Sequence, residues 1–155
     1  MDLSWNILVA SSDLEMRRSI VTTLRQLGAD PICASTVNQC REVLARQSVR
    51  LVFCDRQFPD GCYRDLMAAV NSGPRKNKTR VVLATSFVSP GEFHEAKQLG
   101  IFDVIASPSD AGGHSTAIEW MFILAQRDDL KRRDLATMKA GVSGLSNVSA
   151  AAAKA

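Results

Sequence analysis

The sequence has no apolar run long enough to cross a bilayer and no dense run of basic residues. Its longest apolar stretch, Ile118 with residues 120–125, is far shorter than the ~20 residues of a membrane helix. The N-terminus lacks the basic-then-apolar plan of a signal peptide. The net charge of +3 is small, and no lysine or arginine run is interleaved with aromatic residues. We therefore expect a cytoplasmic protein that binds neither membranes nor nucleic acid.

Paired cysteines are also missing. Cys33, Cys40, Cys54 and Cys62 form no CxxC pair and have no metal-site spacing. Cys54 lies in an apolar run, where a thiol behaves as a small hydrophobic side chain. We expect four reduced thiols and neither a zinc site nor a disulfide framework.

The most informative stretch is an apolar run that ends in a carboxylate. Residues 51–54 are all apolar and lead directly into Asp55, and Pro59, Asp60 and Gly61 follow. A short continuous apolar run bounded by turn residues is typical of a strand buried on both faces, as in a parallel sheet. Because ligands and chemistry collect beyond the carboxyl ends of such strands, Asp55 is the predicted reactive position.

Four further strands and five helices are predicted around this one. Strands are predicted at residues 7–10, 31–34, 81–84 and 101–106, and the second is an edge strand because it begins with a proline. The predicted helix starts are Ser12 with Glu15, Thr36 with Gln39, Asp60 with Gly61, Ser89 with Pro90, and Thr116 with Glu119. The last helix is predicted to reach Lys139. This alternation of strands and helices predicts a parallel sheet with right-handed crossovers.

The order of elements resembles the receiver domain of response regulators in two-component systems. An Asp closes the third strand, a Thr closes the fourth, and Pro108 follows the fifth. The resemblance covers about residues 5–127 and leaves 128–155 as a helical extension and a flexible tail or linker. It implies a flavodoxin-like (CheY-like) three-layer α/β/α sandwich, with a five-stranded parallel sheet of order 2-1-3-4-5 and an extended C-terminal helix.

The resemblance also implies roles for particular residues. Members of this family accept a phosphoryl group from a histidine kinase, with Mg²⁺, on the residue that Asp55 matches. Thr85 matches the switch hydroxyl. The aromatic switch position matches Val104, although Phe102 lies two residues earlier in the predicted fifth strand, on the same side.

Several positions depart from the family pattern. Ser11 and Ser12 occupy the places of two acidic metal ligands, Asp13 falls one place later in a predicted helix cap, and Ser107 occupies the place of the family's lysine. The loop after Asp55 is also shorter than usual. Mg²⁺ binding and phosphoryl transfer both need the missing charges. We therefore expect a degenerate receiver that is not an enzyme, with impaired or absent phosphorylation and no cofactor or metal, Asp55 being the ligand if Mg²⁺ is bound.

Three alternatives stay open. A phosphorelay receiver that is still phosphorylated on Asp55 is the first. The second is a small flavodoxin-like ligand binder whose pocket is lined by the polar strand ends, although neither histidine lies near them to act as a base. In the third, these residues are structural: Asp55 caps the next turn or pairs with Arg56, and Ser11 and Ser12 cap a helix.

The last helix predicts a protein interface. Residues 120–125 are apolar around the whole helix, and a surface helix does not need this unless something covers it. We expect one side, containing Ile118, Met121, Phe122 and Ala125, to pack on the sheet. Trp120, Ile123 and Leu124 are then interface candidates. In the receiver family the face of the fourth helix, the fifth strand of the sheet and the fifth helix binds partners, so we expect a homodimer through it, and a histidine kinase or an effector as protein partners.

Overall fold

The computed structural model describes residues 6–73, 78–85, 89–106 and 114–154. The strands are β1 (Asn6–Ala10), β2 (Ile32–Ala34), β3 (Val49–Asp55), β4 (Gln57–Phe58), β5 (Gly61–Cys62), β6 (Arg80–Thr85) and β7 (Asp103–Ala106). The helices are α1 (Leu14–Gln26), α2 (Val37–Arg46), α3 (Tyr63–Ser72), α4 (Pro90–Gln98) and α5 (His114–Lys154).

The main sheet has five parallel strands in the order β2-β1-β3-β6-β7. This is the predicted order 2-1-3-4-5, because the small antiparallel hairpin of β4 and β5 forms a separate sheet. The register pairs Ala10 with Cys54, Asp55 with Ala84, and Thr85 with Ala106. The carboxyl ends of the four neighbouring strands β1, β3, β6 and β7 therefore meet at one edge.

Burial of the strands in the core explains why their sequences are continuous apolar runs. Leu8, Val52, Phe53 and Leu83 are almost completely buried, since helices cover both faces of the sheet. Removing a buried leucine or isoleucine side chain from water contributes about 1.5–3 kcal/mol, so these central strands anchor the fold. Strand β2 is short and lies at the edge of the sheet, as its proline predicts.

Several predicted boundaries are wrong. Helix α1 starts after an N-cap at Asp13, not at Ser12, and α3 starts at Tyr63 after the hairpin, not at Asp60. Helix α5 already includes Thr116 and continues to Lys154, past the predicted end near Lys139. Strand β7 begins at Asp103 and not at Ile101, because the N–H groups of Gly100 and Ile101 still bond back to carbonyls of α4. The starts at Thr36 and Ser89 are confirmed, since each side-chain oxygen accepts a hydrogen bond from the backbone N–H of the third residue of its helix.

The chain divides into two compact units, Met1–Ile123 and Leu124–Ala155, and the boundary falls within α5. The first unit contains the sheet. Within the second, Asp128 pairs with Arg132 and Asp129 with Arg133, each one helical turn apart. Among the described residues, no helix combines the length and the apolar character that spanning a membrane requires.

Candidate functional site at the carboxyl edge of the sheet

Asp55 ends β3 with both carboxylate oxygens engaged. Its side chain is half-buried. Oδ1 accepts a hydrogen bond from the backbone N–H of Arg56 at 2.7 Å, and Oδ2 lies 3.3 Å from the hydroxyl of Ser11. The carboxylate thus starts the turn out of the strand, as the structural alternative predicted. Its side-chain partner is Ser11 and not Arg56.

Ser11 is fully buried between the ends of β1, β2 and β3. Its backbone N–H donates to the carbonyl of Ala34 at 3.0 Å and so extends the sheet by one residue. Its Oγ accepts from the N–H of Asp13 at 3.1 Å and lies 3.3 Å from both the Asp13 carbonyl and Asp55 Oδ2. Because a hydroxyl has a single proton, it donates to one of these two acceptors at a time.

The cap of α1 belongs to Asp13. Its Oδ1 accepts from the backbone N–H groups of Glu15 and Met16 at 2.9 and 3.2 Å. Because Asp13 is the N-cap residue, the prediction that Ser11 and Ser12 cap this helix is wrong. Asp13 is favoured over the serines as the N-cap residue because its carboxylate accepts from two N–H groups and interacts favourably with the positive end of the helix dipole.

Burial raises the pKa of Asp55 above its ordinary value. Loss of hydration is the largest cause, and the Arg56 N–H and the Ser11 hydroxyl offset it in part. The nearby carboxylate of Asp13 raises the pKa further. Among the described residues, the groups that favour the ionised form of Asp55 are hydrogen-bond donors, and they only partly offset the effect of burial.

The predicted switch residues lie on the neighbouring strands. Thr85 ends β6, one residue beyond Ala84, which is the register partner of Asp55. Phe102 lies just before β7 instead of within it, is half-buried, and donates its N–H to the carbonyl of Val81 at 2.8 Å. Val104 is partly buried and packs against the core. Ser107 lies outside the described residues, as does Pro108.

The segment after Asp55 is tied to two helices by contacts that the sequence analysis missed. The guanidinium of Arg56 pairs with Glu92 of α4 at 2.8 Å. The carboxylate of Asp60, in the two-residue turn of the hairpin, accepts from the N–H groups of Val37 and Asn38 at 2.8 and 3.0 Å. Asp60 is thus a helix cap, but for α2 and not for α3. The only sequence signal was the acidic residue itself, which does not reveal which helix it will meet.

The interface candidates differ in exposure. Trp120 is 54% exposed, whereas Ile123 is partly buried. Leu124 is the first residue of the second unit. Ile118 and Met121 are buried, as predicted for the side that packs on the sheet.

The described part of the chain offers little for metal ligation. No three His, Cys, Asp or Glu side chains there come together closely enough to hold a metal ion. At the carboxyl edge itself, the oxygen groups of the described residues include the Asp55 carboxylate, the Ser11 hydroxyl and the carboxylate of Asp13, whose Oδ1 already caps a helix.

Comparisons with known proteins agree with this architecture. No protein-family model matches the chain. The response regulator protein PilR of Pseudomonas aeruginosa is 30% identical over 105 residues, which are 68% of this chain and 23% of PilR. The chain thus spans about a quarter of the length of that relative.

Solved structures share the fold at lower identity. The signal receiver domain of an HD domain-containing protein from Pseudomonas fluorescens Pf-5 has a TM-score of 0.74 at 18% identity, covering 86% of this chain and 95% of that one. The chemotaxis protein CheY4 of Vibrio cholerae has a TM-score of 0.67 at 17% identity, covering 79% and 97%.

The fold and the sequence relative lead to the same family. The sheet order, the acid at the end of β3 and the threonine at the end of β6 are those of a receiver, and the match to PilR extends over two thirds of the chain. The chain therefore belongs to the response regulator receiver family of two-component signalling.

Proposed function

We propose that this receiver domain acts mainly through protein–protein contacts, and that Mg²⁺-dependent phosphorylation of Asp55 is impaired or absent. The observation that carries the proposal is the buried Ser11, whose hydroxyl lies beside Asp55 Oδ2 where the family has a carboxylate. A hydroxyl contributes no negative charge to a metal site. The domain is proposed to have no enzymatic activity of its own.

The ligand set beside Asp55 fits Mg²⁺ poorly. Mg²⁺ prefers octahedral oxygen ligation that includes one or two carboxylates. Asp55 supplies one carboxylate, and its Oδ1 already accepts the Arg56 N–H. Asp13 uses Oδ1 to cap α1, so this oxygen could bind Mg²⁺ only if the cap were given up.

The described arginines at this edge are engaged by other groups, and the guanidinium of Arg17 donates to the Ser11 carbonyl at 2.9 Å. Ser107 matches the family's lysine, and the guanidinium of Arg56 is engaged by Glu92. Because charge develops on the phosphoryl oxygens in the transition state, each missing cation costs about 10²-fold or more in rate. Transfer to Asp55 is therefore expected to be slow even when a phosphodonor is abundant.

Incubation with acetyl phosphate and Mg²⁺, followed by intact mass, tests this proposal. We expect no phosphoryl adduct on the wild-type chain. The matched control is the variant Ser11→Asp, Ser12→Asp, Ser107→Lys, which restores the family's charges and is expected to gain an adduct. A stable adduct on the wild type that disappears in Asp55→Ala would refute the proposal.

The second candidate is an ordinary phosphorelay receiver, and the 30% identity to a response regulator favours it. Under this alternative a histidine kinase phosphorylates Asp55 and Mg²⁺ is the cofactor. The mass experiment separates the two, since only this candidate predicts the adduct. Response regulators interact with kinases and effectors, and either class is a possible partner in both cases.

We also propose a homodimer through the face formed by α4, β7 and the first turns of α5. Support comes from Trp120, a large apolar side chain that is 54% exposed. Light scattering should give a dimer mass at high micromolar concentration, and Trp120→Ala should weaken it. Leu14→Ala, which removes another exposed apolar side chain from α1, is the control. A monomer at that concentration, or equal effects of both substitutions, would exclude this interface.

A further inference from the structure

A cleft lies between α2 and α3 at the amino edge of the sheet, and we call it the α2–α3 cleft. Its volume is about 240 Å³, and its lining comes from the two helices, from the residues that follow each of them, and from Thr79 just before β6. Strand β3 starts at this edge and carries Asp55 to the opposite one. The cleft is therefore distinct from the candidate site.

The floor of the cleft is apolar. Leu44 of α2 packs against the core, and Val70 of α3 belongs to the core and is 6% exposed. The hydroxyl of Thr79 is already engaged, since it donates to the carbonyl of Val49 at 2.7 Å. Because an unpaired polar group is costly on such a floor, the cleft favours an apolar group. Its volume is below the roughly 300–1,000 Å³ of small-molecule sites and suits one inserted side chain better than a cofactor.

The surroundings of the cleft are basic. Arg41 lines it and is exposed, and among the described residues that line it none is acidic. Glu42 follows on α2 but does not line the cleft. Four further cations belong to the chain segments that end or start at this edge: Arg46, Arg50, Lys78 and Arg80. Five cations against one acid give this region a larger positive charge than the +3 of the whole chain.

The ends of the two helices oppose this charge only weakly. Both α2 and α3 end at this edge, and the C-terminal end of a helix carries about half a negative charge. The end of α2 is also closed by its own cap, since the N–H of Gln47 donates to the carbonyl of Val43 at 2.9 Å. Two half-charges offset about one cation, so the region stays positive.

We propose that the α2–α3 cleft docks an acidic segment of a partner protein, which inserts one apolar side chain between the helices and places its carboxylates around it. Arg41 at the lining and the four cations at the edge complement those carboxylates. The docking site goes beyond the proposed function, because it is a second surface and rests neither on the state of Asp55 nor on the dimer.

Other anionic partners fit this surface less well. A bilayer needs large apolar side chains that can enter it, and those that are exposed on the described part of the chain lie elsewhere: Leu14, Phe93, Trp120, Leu130, Leu135 and Met138. Nucleic-acid bases stack on aromatic rings, and none of the described residues that line the cleft is aromatic. The combination of an apolar floor and a basic rim therefore favours a protein segment.

Fluorescence anisotropy of a labelled glutamate-rich peptide with one central leucine, titrated with the full chain, tests the docking site. We expect binding that weakens as the salt concentration rises. Ala45→Glu places a carboxylate on an exposed lining residue and should weaken binding by about tenfold or more. Ala68→Glu is the matched control, since Ala68 is exposed on α3 but does not line the cleft, and it should change binding by less than about twofold. Far-UV circular dichroism checks that both variants fold.

Two further arms keep the test independent of any one variant. Arg41→Gln should weaken binding by about two- to fivefold. A peptide with serine in place of leucine should bind less tightly than the leucine peptide, because the apolar floor stays unfilled. Absence of binding, equal effects of the two glutamate substitutions, or equal binding of the two peptides would overturn the proposal. Tighter binding of duplex DNA or of phosphatidylserine vesicles than of the leucine peptide would overturn it too. None of these outcomes bears on Asp55, for which the phosphoryl adduct decides.

Discussion

Replacing Ser11 with alanine is the sharpest test of how the candidate site is held together. The side chain is completely buried at the junction of β1, β2 and β3, and alanine fits the same space. The substitution removes one oxygen that accepts from the Asp13 N–H at 3.1 Å and lies 3.3 Å from Asp55 Oδ2. It leaves both groups without this partner.

The expected cost follows from these two contacts. A hydrogen bond contributes about 1 kcal/mol net, and a buried polar group left without a partner costs about 1–3 kcal/mol. Because Asp55 is half-buried, water can replace the serine at its carboxylate and reduce the second cost. We therefore expect the free energy of unfolding to fall by about 1–2 kcal/mol, a large fraction of the roughly 5–15 kcal/mol of a typical domain.

Urea unfolding followed by far-UV circular dichroism measures this change. Ser12→Ala is the matched control, since Ser12 is exposed and its loss should cost less than about 0.5 kcal/mol. A double-mutant cycle with Asp55→Ala isolates the contact between Ser11 and Asp55. Equal, small effects of the two serine substitutions would show that the buried hydroxyl does not support the site.

Three further predictions follow from the charges and thiols. Asp55→Asn should raise the free energy of unfolding near neutral pH, because burial raises the pKa of the wild-type carboxyl. This gain in stability should be absent below the ordinary pKa of 3.8 and should grow as the pH rises through the raised pKa of the folded state. Urea titrations that find the same gain at every pH would contradict this prediction. Asp60→Ala should speed hydrogen exchange at Val37 and lower the free energy of unfolding, because the cap of α2 is lost. Since its N–H partners lower the pKa of Asp60, the wild type should lose the stability that this cap contributes as the pH falls from 3.8 through the lowered pKa of the folded state. Unchanged exchange at Val37 in the variant would count against the cap. Maleimide should label exposed Cys33 first and buried Cys54, whose pKa is raised by burial, only on unfolding; peptide mass mapping checks the order, and early labelling of Cys54 would be inconsistent with the structure.

The strands and their order were predictable because their signal is local and strong. A strand buried on both faces must be apolar along its length, so runs such as residues 51–54 stand out without any knowledge of their neighbours. The resemblance to receivers then supplied the strand order, which the structure confirms. The helix starts at Thr36 and Ser89 were predictable for the same reason, since each cap contacts only its own first turn.

The errors arose where neighbouring residues compete for one role. Ser11, Ser12 and Asp13 are all good helix caps by type, and the spacing of Ser12 and Glu15 favoured the wrong one. The choice depends on the tertiary position of this segment: Ser11 is buried beside Asp55, Ser12 is exposed, and the carboxylate of Asp13 reaches the first N–H groups of the helix. Sequence spacing contains no information on that burial.

The sequence by itself determined which side chains arrive at the carboxyl edge, because the order of residues along each strand is covalent. Ser11, Asp55 and Thr85 end their strands for that reason alone. Tertiary structure decided their partners: Asp60 caps a helix 23 residues earlier, and Arg56 pairs with a helix 36 residues later. Such contacts depend on the packing of whole elements, and a hydrogen bond or ion pair has no signature in the chain until that packing brings its two groups together.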